Sequence, residues 1–273
     1  MKKIFAILLA MCLLTVACAA LAEDDGLAKV LEKGTLIMGF DEEYPPMGFV
    51  SEDGTYVGFD IDLANEVCAR LGVELVLQPV IWDSKELELN IGNIDCIWSG
   101  MTITPERAEQ MLFSMPYLKN EQIMIVMANS DISSIEETAG KTLGTQAGSS
   151  SVDVLDANPE LKDSLGEIVL DDSFVTMLMD LELGGIDVLL IDSVVGNYYI
   201  SQKDNPDAFV VLPGVLEAEE YGIGFRLGEQ TLVGAVNEQL IAIYEDGTLD
   251  TIRANWFAND VTAVGEYADA YRK

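Results

Sequence analysis

The chain has 273 residues, a formal net charge of −32 and no histidine. Such an acidic chain lacks the basic patches with which proteins bind nucleic acids or adsorb to anionic lipids, so neither partner is expected. Without histidine, Ser-His-Asp catalysis, Cys-His catalysis and histidine-based metal sites are excluded, and we predict neither a metal nor a cofactor.

Residues 1–22 are predicted to be a secretory signal peptide rather than part of the fold. Two lysines precede an apolar run that ends at Ala22 in a small-x-small cleavage pattern. The run is short for a membrane span, and no later segment is long and apolar enough to be one. An alternative is lipid attachment at Cys18, because residues 14–18 loosely resemble a lipobox. Either reading predicts a periplasmic or cell-surface protein.

Strands and helices alternate in the next part of the chain. The predicted elements are a strand over 35–39, a hairpin over 50–56, a helix capped by Asp60 and ended by Gly72, a strand over 74–80, a short helix over 86–90 and a buried strand over 94–98. This alternation predicts a mostly parallel sheet with helices on both faces.

The same alternation then begins again. The predicted elements are strands over 122–128, 141–145, 186–191 and 221–225, a helical turn over 135–138, and helices from 152, over 174–181, over 232–243 and over 248–257. The repeated pattern predicts two α/β sheets, although about 250 residues would also permit one large sheet.

Two cysteines follow the signal peptide, and we predict that both are buried thiols. Cys68 lies on a predicted helix and Cys96 on a predicted buried strand. A secreted chain permits a disulfide, but two cysteines do not make a disulfide framework.

The most informative segment is 99–107, which links a buried strand to the start of a helix. Thr104 is the predicted N-cap and Pro105 the first helical residue. Arg107 then lies in the first helical turn, where the helix dipole disfavours a cation. Its planar guanidinium suits a carboxylate, which it can hold through two parallel hydrogen bonds. The alternative is a surface ion pair with a neighbouring glutamate.

Polar residues follow four predicted strands, at the edge where open α/β sheets bind ligands. They are Asp41 with Tyr44, segment 99–107, segment 146–151 and Asp192. In 146–151 a glycine permits close backbone approach, and the helix that follows offers free N–H groups to an anion. The serines of this segment could instead cap that helix, and Asp192 could cap the helix that begins at 193.

Together these groups are complementary to a free α-amino acid. Arg107 and a helix N-terminus would hold a carboxylate, Asp192 would hold an ammonium, and Tyr44 or Trp82 would cover an apolar stem.

Five segments carry a resemblance to a known family, in order and over nearly all of the chain after the signal peptide. They are GFDIDLANE at 58–66, SGMTITPER at 99–107, QAGSS at 146–150, Asp192 and YGIGF at 221–225. The chain resembles the extracellular solute-binding proteins of family 3, the polar amino acid receptors of ABC importers.

The resemblance implies a type II periplasmic-binding-protein fold, in which two α/β lobes joined by two hinge strands close on a ligand like a flytrap. The first lobe would hold 27–120 and 220–273, and the second 124–215. Each lobe would be a mostly parallel sheet flanked by helices.

The resemblance also implies a role for each candidate residue. Arg107 would bind the ligand carboxylate, aided by the N–H of Thr102 and of Ser149 or Ser150. Asp192 would bind the amino group with the Gly100 carbonyl and the Thr102 hydroxyl. The side-chain pocket would be lined by Asp41, Tyr44, Trp82, Gln146 and Ser151. The full candidate set is Asp41, Tyr44, Trp82, Ser99, Gly100, Thr102, Arg107, Gln146, Gly148, Ser149, Ser150, Ser151 and Asp192.

The implied function is a monomeric, non-enzymatic receptor that delivers a polar amino acid to an ABC permease in the membrane. Arginine, lysine, glutamine and cystine all remain possible ligands. One alternative is an enzyme similar to the periplasmic cyclohexadienyl dehydratases, which would need an Asp or Glu as general acid. Another is a sensory module that signals without an importer.

Overall fold

A computed structural model describes residues 25–272. The predicted signal peptide and the lipid-attachment alternative at Cys18 therefore lie outside the described residues. Within them, no helix has the length and apolarity needed to cross a membrane.

The part of the chain before residue 114 alternates strands with helices, as predicted. Its elements are α1 (Gly26–Lys33), β1 (Thr35–Phe40), β2 (Glu43–Tyr44), β3 (Gly48–Val50), β4 (Tyr56–Val57), α2 (Phe59–Leu71), β5 (Glu74–Pro79), a 3-10 helix (Trp82–Ser84), α3 (Lys85–Ile91), β6 (Cys96–Ile97), α4 (Pro105–Ala108) and β7 (Leu112–Phe113).

The later part begins with a long strand and ends with three helices. Its elements are β8 (Leu118–Met127), a 3-10 helix (Ile135–Thr138), β9 (Thr142–Gln146), α5 (Ser150–Ala157), α6 (Pro159–Ser164), β10 (Glu167–Asp171), α7 (Phe174–Leu183), β11 (Val188–Asp192), α8 (Ser193–Ser201), a 3-10 helix (Pro206–Ala208), β12 (Phe209–Val211), β13 (Glu217–Tyr221), β14 (Gly224–Phe225), α9 (Gln230–Glu245), α10 (Thr248–Trp256) and α11 (Val264–Tyr271).

Two main sheets form two lobes, as predicted. The first has the strand order β5-β1-β6-β14-β7, and the second has the order β10-β9-β11-β8-β12, with β13 also paired to β8. The hairpin predicted around Asp53-Gly54 is present as β3 and β4, which form a small third sheet with β2.

Both main sheets are mixed, whereas the sequence predicted mostly parallel ones. Strand β1 runs parallel to β5 and β6, and β9 runs parallel to β10 and β11. Every antiparallel pair of the two sheets includes β8 or β14. These two strands follow the two places where the chain passes from one lobe to the other. There the chain enters the new sheet antiparallel to the strands beside it.

The lobes share an apolar core that reaches from one to the other. One buried cluster includes Met38 and Trp98 beside the first sheet and Ile123 and Phe174 beside the second. The ring centroids of Tyr44 and Phe174 lie 6.1 Å apart. Strand β11 is buried along its whole length, which fits the apolar run that precedes its last residue, Asp192.

The predicted cap of the first long helix is wrong. Helix α2 begins at Phe59 and its N-cap is Gly58, whose φ is 148°. A Cβ atom at Gly58 would lie 2.2 Å from the Met47 carbonyl oxygen, so only glycine fits this approach. Asp60 lies inside the helix, and its Oδ2 accepts hydrogen bonds from Gly100 N and Tyr117 Oη.

Two predicted strands also differ from the structure, and one further helix was not predicted. The predicted strand over 221–225 is split into β13 and β14, because the chain leaves one sheet and enters the other there. The strand predicted from 122 begins at Leu118. Helix α11 follows the helix that was predicted to be last.

Cys68 and Cys96 are free and buried, which confirms the prediction of two thiols. Burial raises the pKa of the Cys68 thiol to about 12 and that of Cys96 well above its ordinary value. Because the thiolate is the reactive form, neither side chain is expected to react in the folded protein.

We expect a chain that begins at Glu23 to show no thiol reactive toward Ellman's reagent when folded. In denaturant the reagent should label both Cys68 and Cys96, since unfolding exposes them. The measurement is absorbance of the released chromophore with and without guanidinium. Labelling of either thiol at the native rate of a free cysteine would contradict the packing described.

Candidate ligand site between the lobes

The ends of four strands meet between the two lobes, as the sequence predicted. Asp41 follows β1, Ser99 lies two residues after the end of β6, Gln146 ends β9 and Asp192 ends β11. All four side chains are buried.

Arg107 is buried against the second lobe. Its Nη1 donates to the Thr102 carbonyl at 3.0 Å, and its Nη2 donates to the Gly148 carbonyl at 3.2 Å. Its ion-pair partner among residues 25–272 is Asp153 on α5, at 3.3 Å, so the alternative pairing with a neighbouring glutamate is wrong. The predicted helix start is confirmed, because the Thr104 hydroxyl accepts from Arg107 N.

Gly148 forms the turn that approaches the first lobe. Its φ is 66°, and a Cβ atom there would lie 2.9 Å from Asp83 Cα, so the turn requires glycine. Its carbonyl oxygen also accepts from Lys85 Nζ at 2.9 Å. Two cations of the first lobe thus converge on one carbonyl of the second.

Lys85 is a buried cation that sequence reasoning missed. Its ammonium donates to the Trp82 carbonyl at 3.2 Å, pairs with Glu86 at 3.0 Å and lies 4.7 Å from the Trp82 ring centroid. Burial, and then the charge of Arg107, lower the pKa of Lys85. The pattern of apolar residues in the short helix α3 does not indicate that this lysine is buried.

Asp192 lies in a cluster of hydrogen-bond donors. Its Oδ1 accepts from Gln122 Nε2 at 2.9 Å and from Tyr221 Oη at 2.7 Å, and also from Asn120 Nδ2. It stands at the N-cap position of α8 but makes no side-chain cap, so the capping alternative is wrong. Burial, and then the neighbouring Glu219, raise the pKa of Asp192.

Thr102 and Ser150 connect the two walls of the site. The Thr102 hydroxyl of the first lobe lies 3.2 Å from the Ser150 hydroxyl of the second. The Thr102 carbonyl oxygen accepts a hydrogen bond from Arg107 Nη1. Ser150 Oγ accepts one from Gln122 Nε2, which also donates to Asp192 Oδ1. The guanidinium at 107 and the carboxylate at 192 therefore belong to one buried polar cluster.

Asp41 and Gln146 make a second contact between the lobes. Gln146 Nε2 donates to Asp41 Oδ2 at 2.6 Å and to the Asp172 carbonyl at 2.9 Å. Asp41 N donates to Ser99 Oγ at 3.2 Å. Burial raises the pKa of Asp41 to about 6, against the opposing effect of the hydrogen bonds that its carboxylate accepts from Glu43 N and Gln146 Nε2.

Tyr44 and Trp82 are both buried and nearly parallel. Their ring centroids lie 6.5 Å apart with an interplanar angle of 8°. The Tyr44 hydroxyl lies 3.0 Å from that of Tyr221. Tyr44 thus extends from the loop of Asp41 toward the Asp192 cluster.

The three serines of the Gly148 turn have different partners. Ser149 is the N-cap residue of α5 but makes no side-chain cap; its hydroxyl donates to the Gln146 carbonyl at 2.7 Å. Ser151 Oγ donates to Gln122 Oε1 at 2.6 Å. Capping is therefore not the role of the Ser149 side chain, and Ser150 and Ser151 face the polar cluster.

Gly100 fits its position for a steric reason. Its φ is 55°, and a Cβ atom there would lie 2.6 Å from Tyr44 Cε1 and 3.0 Å from Tyr221 Cε2. Any side chain would displace a tyrosine of the site. The Gly100 N–H is held by Asp60, so α2 fixes this loop.

Sequence reasoning missed four residues of the cluster, namely Asn120, Gln122, Glu219 and Tyr221 as a hydrogen-bond donor. A signal for two of them exists, because Asn120 and Gln122 are two apart on β8 and hence on one face. Both are buried polar residues just before a fully apolar stretch of the same strand.

A cavity of about 1690 Å³ opens beside this cluster. Its wall includes Thr102 and Glu106 from the first lobe and Ser150 and Asp153 from the second. Glu219 lies in the same wall, so the polar cluster borders the cavity.

Comparison with known proteins gives one family match and several relatives. The family model described as bacterial extracellular solute-binding proteins, family 3, matches residues 36–259. The L-cystine-binding protein TcyJ of Escherichia coli (strain K12) is 32% identical over 242 residues, covering 88% of this chain and 89% of the relative. The ABC transporter arginine-binding protein 1 of the same organism is 31% identical over 224 residues, covering 80% and 89%.

One solved structure is also closely similar. It is an ABC uptake transporter substrate-binding protein from Streptococcus pneumoniae with bound histidine, 40% identical, with a TM-score of 0.86. The match covers 89% of this chain and 100% of that one.

The buried carboxylates predict that the protein loses stability as the pH rises. Burial raises the pKa of Asp41 to about 6 and that of Asp60 to about 7, and it also raises that of Asp192. In the unfolded chain an aspartate titrates near pH ~3.9. The stabilising contribution is therefore complete below about pH 4 and is lost as the pH rises through 6 to 7.

We expect the melting temperature, measured by circular dichroism without added amino acid, to be lower at pH 8 than at pH 5. Raising the salt concentration to 0.5 M should leave most of this difference, because buried groups are screened little. The D192N variant lacks one of the titrating groups and should show a smaller difference. A melting temperature that rises from pH 5 to pH 8 would contradict the assignment.

Proposed function

The chain belongs to the bacterial extracellular solute-binding proteins of family 3, and we propose that it is a receptor for a free polar L-amino acid. The amino acid binds between the two lobes and is delivered to the permease of an ABC importer. One observation carries this conclusion: Arg107 of the first lobe and Asp192 of the second lie in a single buried cluster, joined through Thr102 and Ser150.

Arg107 binds the ligand carboxylate in this proposal. Its guanidinium is already oriented toward the second lobe, where the Gly148 carbonyl occupies part of its donor fork. A carboxylate accepts two parallel hydrogen bonds from such a fork, which a single carbonyl oxygen does not. The backbone N–H groups at the start of α5 add an anion-binding contribution.

Asp192 binds the ligand ammonium. It is a buried carboxylate with no ion-pair partner among residues 25–272, and such a charge is costly until a cation pairs with it. The Thr102 hydroxyl and the Gly100 carbonyl complete the proposed set on the first lobe.

The pocket at Asp41 favours a ligand side chain that is cationic or rich in N–H donors. Asp41 is a second buried carboxylate, and its lobe-bridging partner Gln146 is neutral. The parallel rings of Tyr44 and Trp82 suit a flat or extended apolar stem. Of the ligands named for the relatives, arginine and histidine fit these features better than cystine.

Closure follows from the placement of the two charges on different lobes. A zwitterion makes both charge-assisted contacts only when the lobes meet, so it stabilises the closed arrangement by its differential affinity. The contacts Arg107–Asp153 and Asp41–Gln146 are further bonds that exist only when the lobes touch.

The protein acts as a monomer without catalysis, outside the cytoplasmic membrane, either soluble or anchored at Cys18. The three relatives described above are all named as binding proteins, which supports a non-enzymatic role. The lobes are proposed to run over 27–120 with 220–273, and over 124–215.

A thermal-shift panel of the twenty L-amino acids with ornithine and cystine tests the proposal. We expect arginine, lysine, ornithine or histidine to raise the melting temperature most, because a ligand that binds only the native state stabilises it by mass action. Neutral glutamine and cystine should give smaller shifts. Absence of a shift with every amino acid would overturn the proposed function.

Removing the Arg107 side chain should abolish most of the affinity. In the R107A variant the ligand carboxylate is left desolvated and unpaired, a loss of roughly 2–5 kcal/mol in binding free energy. Calorimetric titration of the best ligand from the panel measures the loss. R107K keeps the charge but not the fork and should bind with intermediate affinity.

The matched control is Arg272→Ala, which removes an exposed arginine from the last helical turn. It should bind the ligand as the wild type does. Near-normal affinity of the R107A variant would contradict the role of this residue.

A further inference from the structure

Glu219 is a buried carboxylate on one of the two strands that connect the lobes. It lies on β13, where its register partner on β8 is Asn120. The side chain is 8% exposed and forms part of the cavity wall. Neither charge patterning nor any motif pointed to it, since it stands among other glutamates in the segment 217–220.

The Glu219 carboxylate is in contact with both lobes and with both connecting strands. Its Oε2 accepts from Thr102 Oγ1 at 3.1 Å and from Ser150 Oγ at 3.3 Å, one from each lobe. The same oxygen accepts from Asn120 Nδ2 at 2.9 Å and from Gln122 Nε2 at 3.0 Å, both on β8. Four donor atoms therefore lie within hydrogen-bond distance of this one carboxylate oxygen.

Glu219 and Asp192 share their donors. The amide nitrogens of Asn120 and Gln122 each lie within hydrogen-bond distance of both carboxylates. Around Gln122 Nε2 there are three acceptors: Asp192 Oδ1 at 2.9 Å, Glu219 Oε2 at 3.0 Å and Ser150 Oγ at 3.1 Å. An amide nitrogen has two protons for these three acceptors, whereas an ammonium has three.

The pair also lacks a positive charge. Among residues 25–272, no lysine or arginine forms an ion pair with Asp192 or Glu219, and the buried cations Arg107 and Lys85 pair elsewhere. The other titratable groups in contact with the cluster are the hydroxyls of Tyr44 and Tyr221. Two adjacent buried carboxylates are unfavourable until a proton or a cation compensates them.

We propose that Glu219 is a second anionic group for the ligand ammonium, acting together with Asp192. This inference rests on the proposed function and extends it. The ammonium enters from the cavity side and takes the place of one amide donor between the two carboxylates, so that Ser150 and both acids accept its three protons. Glu219 thereby makes the site selective for an amino acid over the same molecule without its amino group.

The test compares ligands that differ only in the amino group. Isothermal titration of the wild type, E219Q and the control E217Q uses the best basic amino acid of the panel and its deamino analogue. For L-arginine the analogue is 5-guanidinopentanoate, and for L-histidine it is 3-(imidazol-4-yl)propanoate. Glu217 lies two residues earlier on the same strand and is exposed. The E217Q variant therefore removes the same charge as E219Q, but from a residue outside the buried cluster.

We expect E219Q to weaken binding of the amino acid by on the order of 10-fold to 100-fold, the value of one charge-assisted hydrogen bond. Binding of the deamino analogue should change less than twofold, and E217Q should resemble the wild type with both ligands. Equal losses for both ligands, or no loss for either, would overturn the proposal, because the residue would then act only on the structure or not at all.

Two further outcomes are decisive. At pH 8 without ligand, E219Q should melt no lower than the wild type, since it removes one of two neighbouring negative charges; a less stable or unfolded variant contradicts the compensation argument. If the wild type itself binds no amino acid, the proposed function fails, and this inference fails with it. Wild-type binding with an unchanged E219Q overturns the inference alone.

Discussion

Charges buried between the two lobes require partners, and this requirement shapes the site. Arg107 on one wall and Asp192 on the other are both removed from water. Burial of an isolated charge costs roughly several kcal/mol unless hydrogen bonds or an opposite charge compensate it. The network of Thr102, Ser150 and Gln122 supplies part of that compensation, and the zwitterionic ligand of the proposed function supplies the rest.

The fold places these charges by simple means. Parallel strands end at one edge of each sheet, so the polar residue that follows the last apolar position of a strand lies between the two lobes. The strands that carry the chain between the lobes add a second source of polar groups, because β8 and β13 pass directly behind the cluster. Ligand-binding walls and connecting strands are therefore parts of one hydrogen-bonded unit.

Local patterns in the sequence were sufficient for the helix that begins at Pro105 and for the strand that ends at Asp192, but not for the cap of α2. Thr104 and Pro105 define their helix through neighbours only, and the apolar run before Asp192 marks a buried strand by itself. Asn120, Glu219 and Lys85 could not be placed in the same way. Their burial depends on strand pairing between residues about a hundred positions apart and on contact with the opposite lobe. The local hydrophobic pattern does not indicate either kind of contact. The antiparallel pairs have the same origin, since only the path of the chain between lobes reverses those strands.

The Asp41–Gln146 contact is separate from the connecting strands, and this separation has an evolutionary consequence. The end of the site that is proposed to bind the ligand side chain lies just after β1 and at the end of β9, while the end that is proposed to bind the amino group is built on β8, β11 and β13. In the proposed receptor, substitution at the first end changes the ligand preference without altering the strands that connect the lobes. In a scaffold organised in this way, ligand preference can change during evolution while the strands that connect the lobes stay the same.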